Sequence, residues 1–258
     1  MENKISDTAY ISTFELYLGL ENKEQYQTEK EFIKSMDNPF LKNEVLIRDF
    51  KQVEYPRQMT YRYCTIKSEI NTLNPDLLIV GACGFSPLGY TYAKQNENVD
   101  VFDTDFKDVI QYKRSKINSM PSNYHQETVD LLKNIKINLP KQYNNACFVA
   151  EGLTCYLTEQ ENIKLINNVK NFFKKNNIEN YNLILEFYIS EGPAVNKEIT
   201  INTPQSVKDF LSPFHTLQKI YFENTDKIEE FLSQFDFNRI SVDDETEKHS
   251  IWVCEKRK

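Results

Sequence analysis

Three short stretches of this chain place small or acidic residues where a nucleotide-like ligand could be held. The first runs Leu77-Leu78-Ile79-Val80-Gly81-Ala82-Cys83-Gly84-Phe85-Ser86-Pro87-Leu88-Gly89, an apolar strand followed by a small-residue turn and a helix start. Glycines let backbone approach a ligand closely, and a helix N-terminus offers free N–H groups. The spacing of Gly81, Gly84 and Gly89 is not G-x-G-x-x-G, which argues against a dinucleotide loop. The second stretch, Val99-Asp100-Val101-Phe102-Asp103, ends in a carboxylate. At the tip of a second strand such a group can accept both hydroxyl protons of a ribose, which makes Asp103 the ribose candidate. Asp105 fits the N-cap of the following helix better. The third stretch, Phe148-Val149-Ala150-Glu151-Gly152, sets Glu151 at the end of a buried strand. There a carboxylate could bind a hydroxyl, an amino group or a substrate proton. The histidines help little: His125, His215 and His249 all read as surface residues, so no general base stands out.

These groups meet only if the elements between them cooperate. Leu77–Val80, Val99–Phe102, Cys147–Ala150 and Leu183–Phe187 are apolar runs of strand length. Helical candidates lie between them at Leu88–Gln95, Phe106–Ile117, Thr128–Ile135 and Glu159–Lys175, the last capped by Thr158 with Glu161 three residues on. Strand alternating with helix implies right-handed crossovers and a mostly parallel, doubly wound α/β sheet. Asp226–Gln234 reads as a further helix, and Phe237–Val242 with Ser250–Cys254 as an antiparallel hairpin. Residues 1–74 show helical spacing without convincing strands. Tyr10, Phe14, Tyr17 and Leu18 recur at a helical period, Ile33 with Phe40 and Leu41 continues it, and Met59–Leu73 is stopped by Asn74-Pro75. The division predicted is an N-terminal helical cap, 1–74, and a core, 75–258, in one compact domain.

Composition narrows the class. A formal charge of -7 argues against a partner bound through phosphate neutralisation, so no nucleic acid is expected. Five cysteines, none in Cys-x-x-Cys spacing, point to a reducing compartment and no metal site. No apolar run approaches the roughly 18 residues of a membrane span, and the N-terminus has no signal-peptide pattern. The cytoplasm is the expected location.

Taken together, the motifs resemble the leucine carboxyl methyltransferase family of S-adenosylmethionine enzymes, which includes many bacterial O-methyltransferases of polyketide pathways. Ser6-Asp7-Thr8-Ala9 is similar to the family's Ser-x-Thr-Ala entry to its cap. Phe102-Asp103-Thr104-Asp105-Phe106, Val109-Ile110 and Lys113 resemble its acidic second-strand motif, and Glu151-Gly152-Leu153 with Tyr156-Leu157 resembles its Glu-Gly-Leu…Tyr-Leu signature. The resemblance implies a Rossmann-like methyltransferase fold with seven strands. It implies S-adenosylmethionine as cofactor, held by Arg62, Gly81, Gly84, Asp103, Asp130 and Glu151, with Arg62 on the cofactor carboxylate and Asp130 toward adenine. It also implies methyl transfer to a carboxylate or hydroxyl of a small molecule or peptide. Tyr156, Tyr188 and Glu191 are candidates for the acceptor pocket. Three positions depart from the family: Val80 replaces an acid, Ala82 a glycine and Leu88 an arginine. Those departures leave open a non-catalytic relative acting as a binding protein. A nicotinamide oxidoreductase is disfavoured by the missing G-x-G-x-x-G.

Overall fold

Alternate residues of the Leu77–Val80 run face opposite ways, as a strand requires, and they feed two separate cores. Leu77 and Ile79 join Phe148, Leu165, Val169 and Phe173 in one apolar cluster. Leu78 and Val80 join Tyr63, Ile66, Ile70, Leu88 and Val149 in another. A strand buried on both faces is the mark of a parallel sheet covered by helices on each side. The computed structural model, which describes residues 2–189, 203–215, 217, 219, 222–246 and 249–256, has this architecture.

Among the described residues four α-helices precede the sheet: α1 (Glu2–Leu20), α2 (Gln27–Ser35), α3 (Glu44–Phe50) and α4 (Tyr55–Leu73). Then follow β1 (Leu77–Gly81), α5 (Leu88–Gln95), β2 (Asp100–Asp105), α6 (Lys107–Lys116), β3 (Tyr124–Thr128), β4 (Asn145–Ala150), α7 (Glu159–Lys175) and β5 (Asn180–Tyr188). The chain ends with α8 (Gln205–His215), α9 (Thr225–Ser233), β6 (Phe237–Thr246) and β7 (His249–Lys256). The seven strands lie in the order β3-β2-β1-β4-β5-β7-β6. Pairings from β3 through β5 are parallel, whereas β7 runs antiparallel to both β5 and β6. The winding direction reverses between β1 and β4, so a crevice opens at the carboxyl ends of those strands. No helix among the described residues is long and apolar enough to cross a membrane.

Local signals account for several element ends. Asn74 stops α4 in the left-handed conformation at φ 45°, its N–H bonded to the Ile70 carbonyl. Thr158 and Glu161 form the reciprocal capping box of α7. Thr158→Ala is expected to cost about 1 kcal/mol, read as a lowered urea midpoint; an unmoved midpoint would show that α7 does not depend on its cap.

Other expectations are corrected. Thr128–Ile135 is not a helix. Thr128 ends β3, and the Asp130 carboxylate accepts the Leu132 N–H at 3.0 Å in a side-chain turn that competes with helix. Val129 with Leu131, and Ile135 with Ile137, are buried as two pairs two residues apart, on either side of the turn closed by the Lys133 N–H to the Asp130 carbonyl. β3 itself, Tyr-His-Gln-Glu-Thr, has no aliphatic run. It forms because Tyr124 and Gln126 are buried and pair with neighbouring polar groups. Phe40 and Leu41 do not continue α2 but sit in a short 3-10 turn at Pro39–Lys42. Two helices went unforeseen, α3 and α8. Their apolar faces close on each other's neighbours, with the Phe210 ring edge-on to Phe14, Phe40 and Phe50 and Ser206 donating to Asp49.

Candidate active site

β1 passes into α5 through a turn in which Ala82 and Gly84 both have φ 49°. That region costs a non-glycine residue about 1–2 kcal/mol, so the turn must be held from outside. The Cys83 N–H donates to the Thr104 carbonyl at 3.0 Å, and the Gly84 N–H to Asp105 Oδ2 at 2.7 Å. Asp105 Oδ1 accepts the Phe106 N–H at 2.7 Å. Burial raises the pKa of Asp105, while the two backbone donors favour its ionised form.

Asp103 does not reach the crevice. Its fully buried carboxylate takes the ammonium of Lys113 at 2.6 Å and the hydroxyl of Tyr124. Lys113 also donates to the Ser86 carbonyl at 2.8 Å, tying α6 to the turn. Burial opposes the charge of Lys113, but Asp103 and the neighbouring groups outweigh it and raise the pKa. A Cβ at residue 89 would stand 2.0 Å from Asp103 Oδ1, which is why glycine is there. The register explains the difference from the sequence expectation. Asp103 pairs with Val80 inside the ladder, under α5 and α6, whereas Asp105 lies past the Gly81–Thr104 pair. Asp105 shares the face of Asp103 but stands at the strand tip, and it is the second-strand acid that lines the cavity.

A second charged group stands at the ends of β4 and β5. Arg62, on α4, is buried and donates through Nε to Glu151 Oε1 and through Nη1 to Glu186 Oε1, both at 3.1 Å. Glu186 Oε2 accepts the Gly152 N–H at 2.6 Å, fixing the turn after β4. Burial opposes the charge of Arg62, yet Glu186 and Glu151 more than offset it and raise the pKa. Burial raises that of Glu151, against the pull of Arg62. Glu15 on α1 is 5% exposed. Burial lifts its pKa to about 8, with Arg62 working the other way. The folded protein therefore holds a proton on Glu15 where the unfolded chain, near 4.5, has lost it. Folding stability should fall as pH rises from about 4.5 toward 8. Glu15→Gln should flatten that slope in urea titrations; an unchanged slope would refute the assignment.

Of these groups Asp105, Arg62 and Glu151 line a cavity of about 390 Å³ at the crevice between β1 and β4, whereas Glu15 and Glu186 are not in its lining. Arg62, Gly81, Gly84, Asp130, Glu151 and Tyr156 line it, as does Val80. Asp103 and Tyr188 are not among its lining residues; Tyr188 lies behind, in the field of Cys155, Glu186 and Arg62. Glu191 lies outside the described residues. His125 is on β3, stacked on Phe102 and 3.2 Å from Asp100. The residues that sequence reasoning missed are Asp105, Glu186 and Glu15. Glu186 had a signal, a lone acid inside the apolar run Leu183–Phe187.

The cavity lies where open α/β sheets bind small ligands, at the crevice outside the strand ends. Residues 51–170 match the leucine carboxyl methyltransferase family. The chain is an S-adenosylmethionine-dependent methyltransferase. Among solved structures, a DUF574 family protein from Streptomyces avermitilis aligns over 97% of both chains, at 10% identity and a TM-score of 0.53. The methyltransferase domain of bacterial CtHen1-CN aligns with 75% of this chain and 96% of its own, at 14% identity and 0.51. PigF with SAH aligns with 78% of this chain and 58% of its own, at 9% identity and 0.51. At such identities the likeness speaks for the fold. No curated protein sequence matches the methyltransferase significantly.

Proposed function

We propose that the methyltransferase moves the methyl group to oxygen, the carboxylate or hydroxyl of a small molecule or peptide. The observation that carries this reading is the convergence, in one cavity at the sheet's switch point, of Asp105, the Arg62–Glu151 pair and the β1–α5 turn. At about 390 Å³ the cavity falls within the roughly 300–1,000 Å³ of small-molecule sites. The donor set fits S-adenosylmethionine. Asp105 at the strand tip can accept the ribose hydroxyls, and the aliphatic walls at Val129, Leu132 and Leu153, with Asp130, suit an adenine ring. Glu151 offers an acceptor to an ammonium. Arg62 offers Nη2, which neither glutamate engages, to a carboxylate. That pair takes over where Val80 replaces the family's usual acid.

The cofactor supplies an activated methyl and its own leaving group, so the protein's work is binding, alignment and exclusion of water. Thr8, Ser12 and Leu16 of α1 and Met59 of α4 roof the cavity, and Tyr156 and Leu157 wall the end beside Arg62. These residues set the acceptor oxygen behind the methyl. The same reading divides the chain into a cap, residues 1–74, and a cofactor-binding core, 75–258. It places the enzyme in the cytoplasm, on the strength of five thiols without disulfide or metal spacing.

Calorimetric titration with S-adenosylmethionine and S-adenosylhomocysteine, with NADH as control, tests the proposal. Micromolar binding of the first two alone supports it. No binding of either would favour the non-catalytic relative.

A further inference from the structure

We infer that Lys219 binds the methyl acceptor, holding a carboxylate that the acceptor carries apart from the oxygen to be methylated. The inference rests on the cofactor reading above and begins with position. Asp105 ends β2 and Asp130 follows β3, so the ribose and adenine contacts lie on the β2–β3 side of the crevice. The Arg62–Glu151 pair, at the end of β4, receives the amino-acid end of the cofactor. The next strand beyond β4 is β5. Two backbone bonds fix the later chain on that side. The Lys219 N–H donates to the Cys155 carbonyl at 2.8 Å, in the turn after β4, and the Phe222 N–H to the Tyr188 carbonyl at 3.1 Å, at the end of β5. Leu217 and Lys219 thereby become part of the cavity wall, together with Tyr156 and Leu157, which follow Cys155 in the chain. This wall is the side left for the acceptor.

Charge points the same way once the cofactor is counted. The cofactor brings a carboxylate, an ammonium and a sulfonium. Arg62 Nη2 serves the first and Glu151 the second, and the sulfonium adds a positive charge to the space the acceptor enters. Among the described lining residues the cations are Arg62 and Lys219, so Lys219 is the one the cofactor leaves uncommitted. It rests on Glu161 at 3.2 Å, but the two side chains are 48% and 34% exposed, and such pairs are worth little to stability. Glu161 does not depend on it. The Glu161 Oε2 takes the Thr158 N–H at 2.8 Å and the Thr158 hydroxyl at 3.0 Å, and that N–H is the chief group holding its pKa below the usual range. An ammonium carries three donors, so Lys219 can turn to a ligand while Glu161 stays satisfied. An acceptor with an apolar body on Tyr156, Leu157 and Leu217 and a carboxylate on Lys219 would be oriented by both ends, as small-molecule sites do with a few placed polar groups.

The test uses 6-hydroxy-2-naphthoate and its carboxamide, alike in shape and different in charge. S-adenosylhomocysteine has no sulfonium, so its complex with the full chain isolates the contribution of Lys219. On that complex calorimetry should show the carboxylate binding about tenfold more tightly than the carboxamide, the scale of one hydrogen bond to a charged group. Lys219→Gln should erase the preference by weakening the carboxylate alone, with the affinities for S-adenosylhomocysteine and for the carboxamide unchanged. Lys219→Arg should restore the preference and Lys219→Glu should invert it. A merely structural lysine would shift both probes alike, whatever the sign of its replacement. Equal affinities for the two probes, binding of neither, or a preference that survives in Lys219→Gln overturns the inference. Failure of the unmodified protein to bind S-adenosylhomocysteine would instead overturn the cofactor reading beneath it.

Discussion

Asp105→Ala is expected to weaken S-adenosylmethionine binding by about ten- to a hundredfold, on the order of 1.5–3 kcal/mol for hydrogen bonds to a charged group. The loss has two sources. Ribose hydroxyls would lose their acceptor, and the Gly84 and Phe106 N–H groups would lose theirs, so the turn that cradles the ligand would loosen too. Titration calorimetry on variant and parent measures the difference directly. An affinity within twofold of the parent would remove Asp105 from the site.

Lys113→Met is expected to cost about 3–5 kcal/mol of stability, because it leaves the Asp103 carboxylate buried without its counter-charge. Neither side chain of the pair is exposed to solvent, so water cannot replace the lost ammonium. Only the Tyr124 hydroxyl would remain to Asp103. For a chain of this length each kcal/mol moves the melting temperature by roughly 2–4 °C, so a fall of about 10 °C is the expected scale. The double change Asp103→Leu with Lys113→Met should recover much of it, since apolar replacement of a whole buried pair is often neutral. A single variant melting within about 2 °C of the parent would show that the pair is not electrostatically important. Together the two experiments test Asp103 and Asp105 of β2 separately, the first as the anchor of α6 and the second as a ligand of the cofactor.

The glycine turn, the acid-ended second strand and the Glu151-Gly152 strand end could each be read as ligand-facing from local pattern alone. Their neighbourhood is set by nearby residues: a five-residue apolar strand, a tight turn and a helix start. The helix Glu159–Lys175 was legible to the residue because its cap, its period and its length agree. β3 was not legible, since its burial comes from Tyr124 donating to Asp103 of β2 and Gln126 accepting from Arg114 of α6 rather than from an apolar run. α3 and α8 were hidden for a similar reason, as their apolar faces have meaning only when Phe210 meets Phe14, Phe40 and Phe50 across the chain.

By itself, then, the sequence determined the α/β alternation and the crevice's position, because each follows from periodicity or spacing within a few tens of residues. Which acid serves which purpose was decided only in three dimensions. Asp103 and Asp105 have the same side chain on the same face of one strand. One lies opposite Val80 beneath two helices and the other at the tip of β2, past its last pair with β1. The partnership of Arg62 with Glu151 and Glu186 likewise joins residues from α4, the turn after β4, and β5. Such a cluster is a property of folding, since burial and pairing with distant groups set its charges, and no local pattern records either.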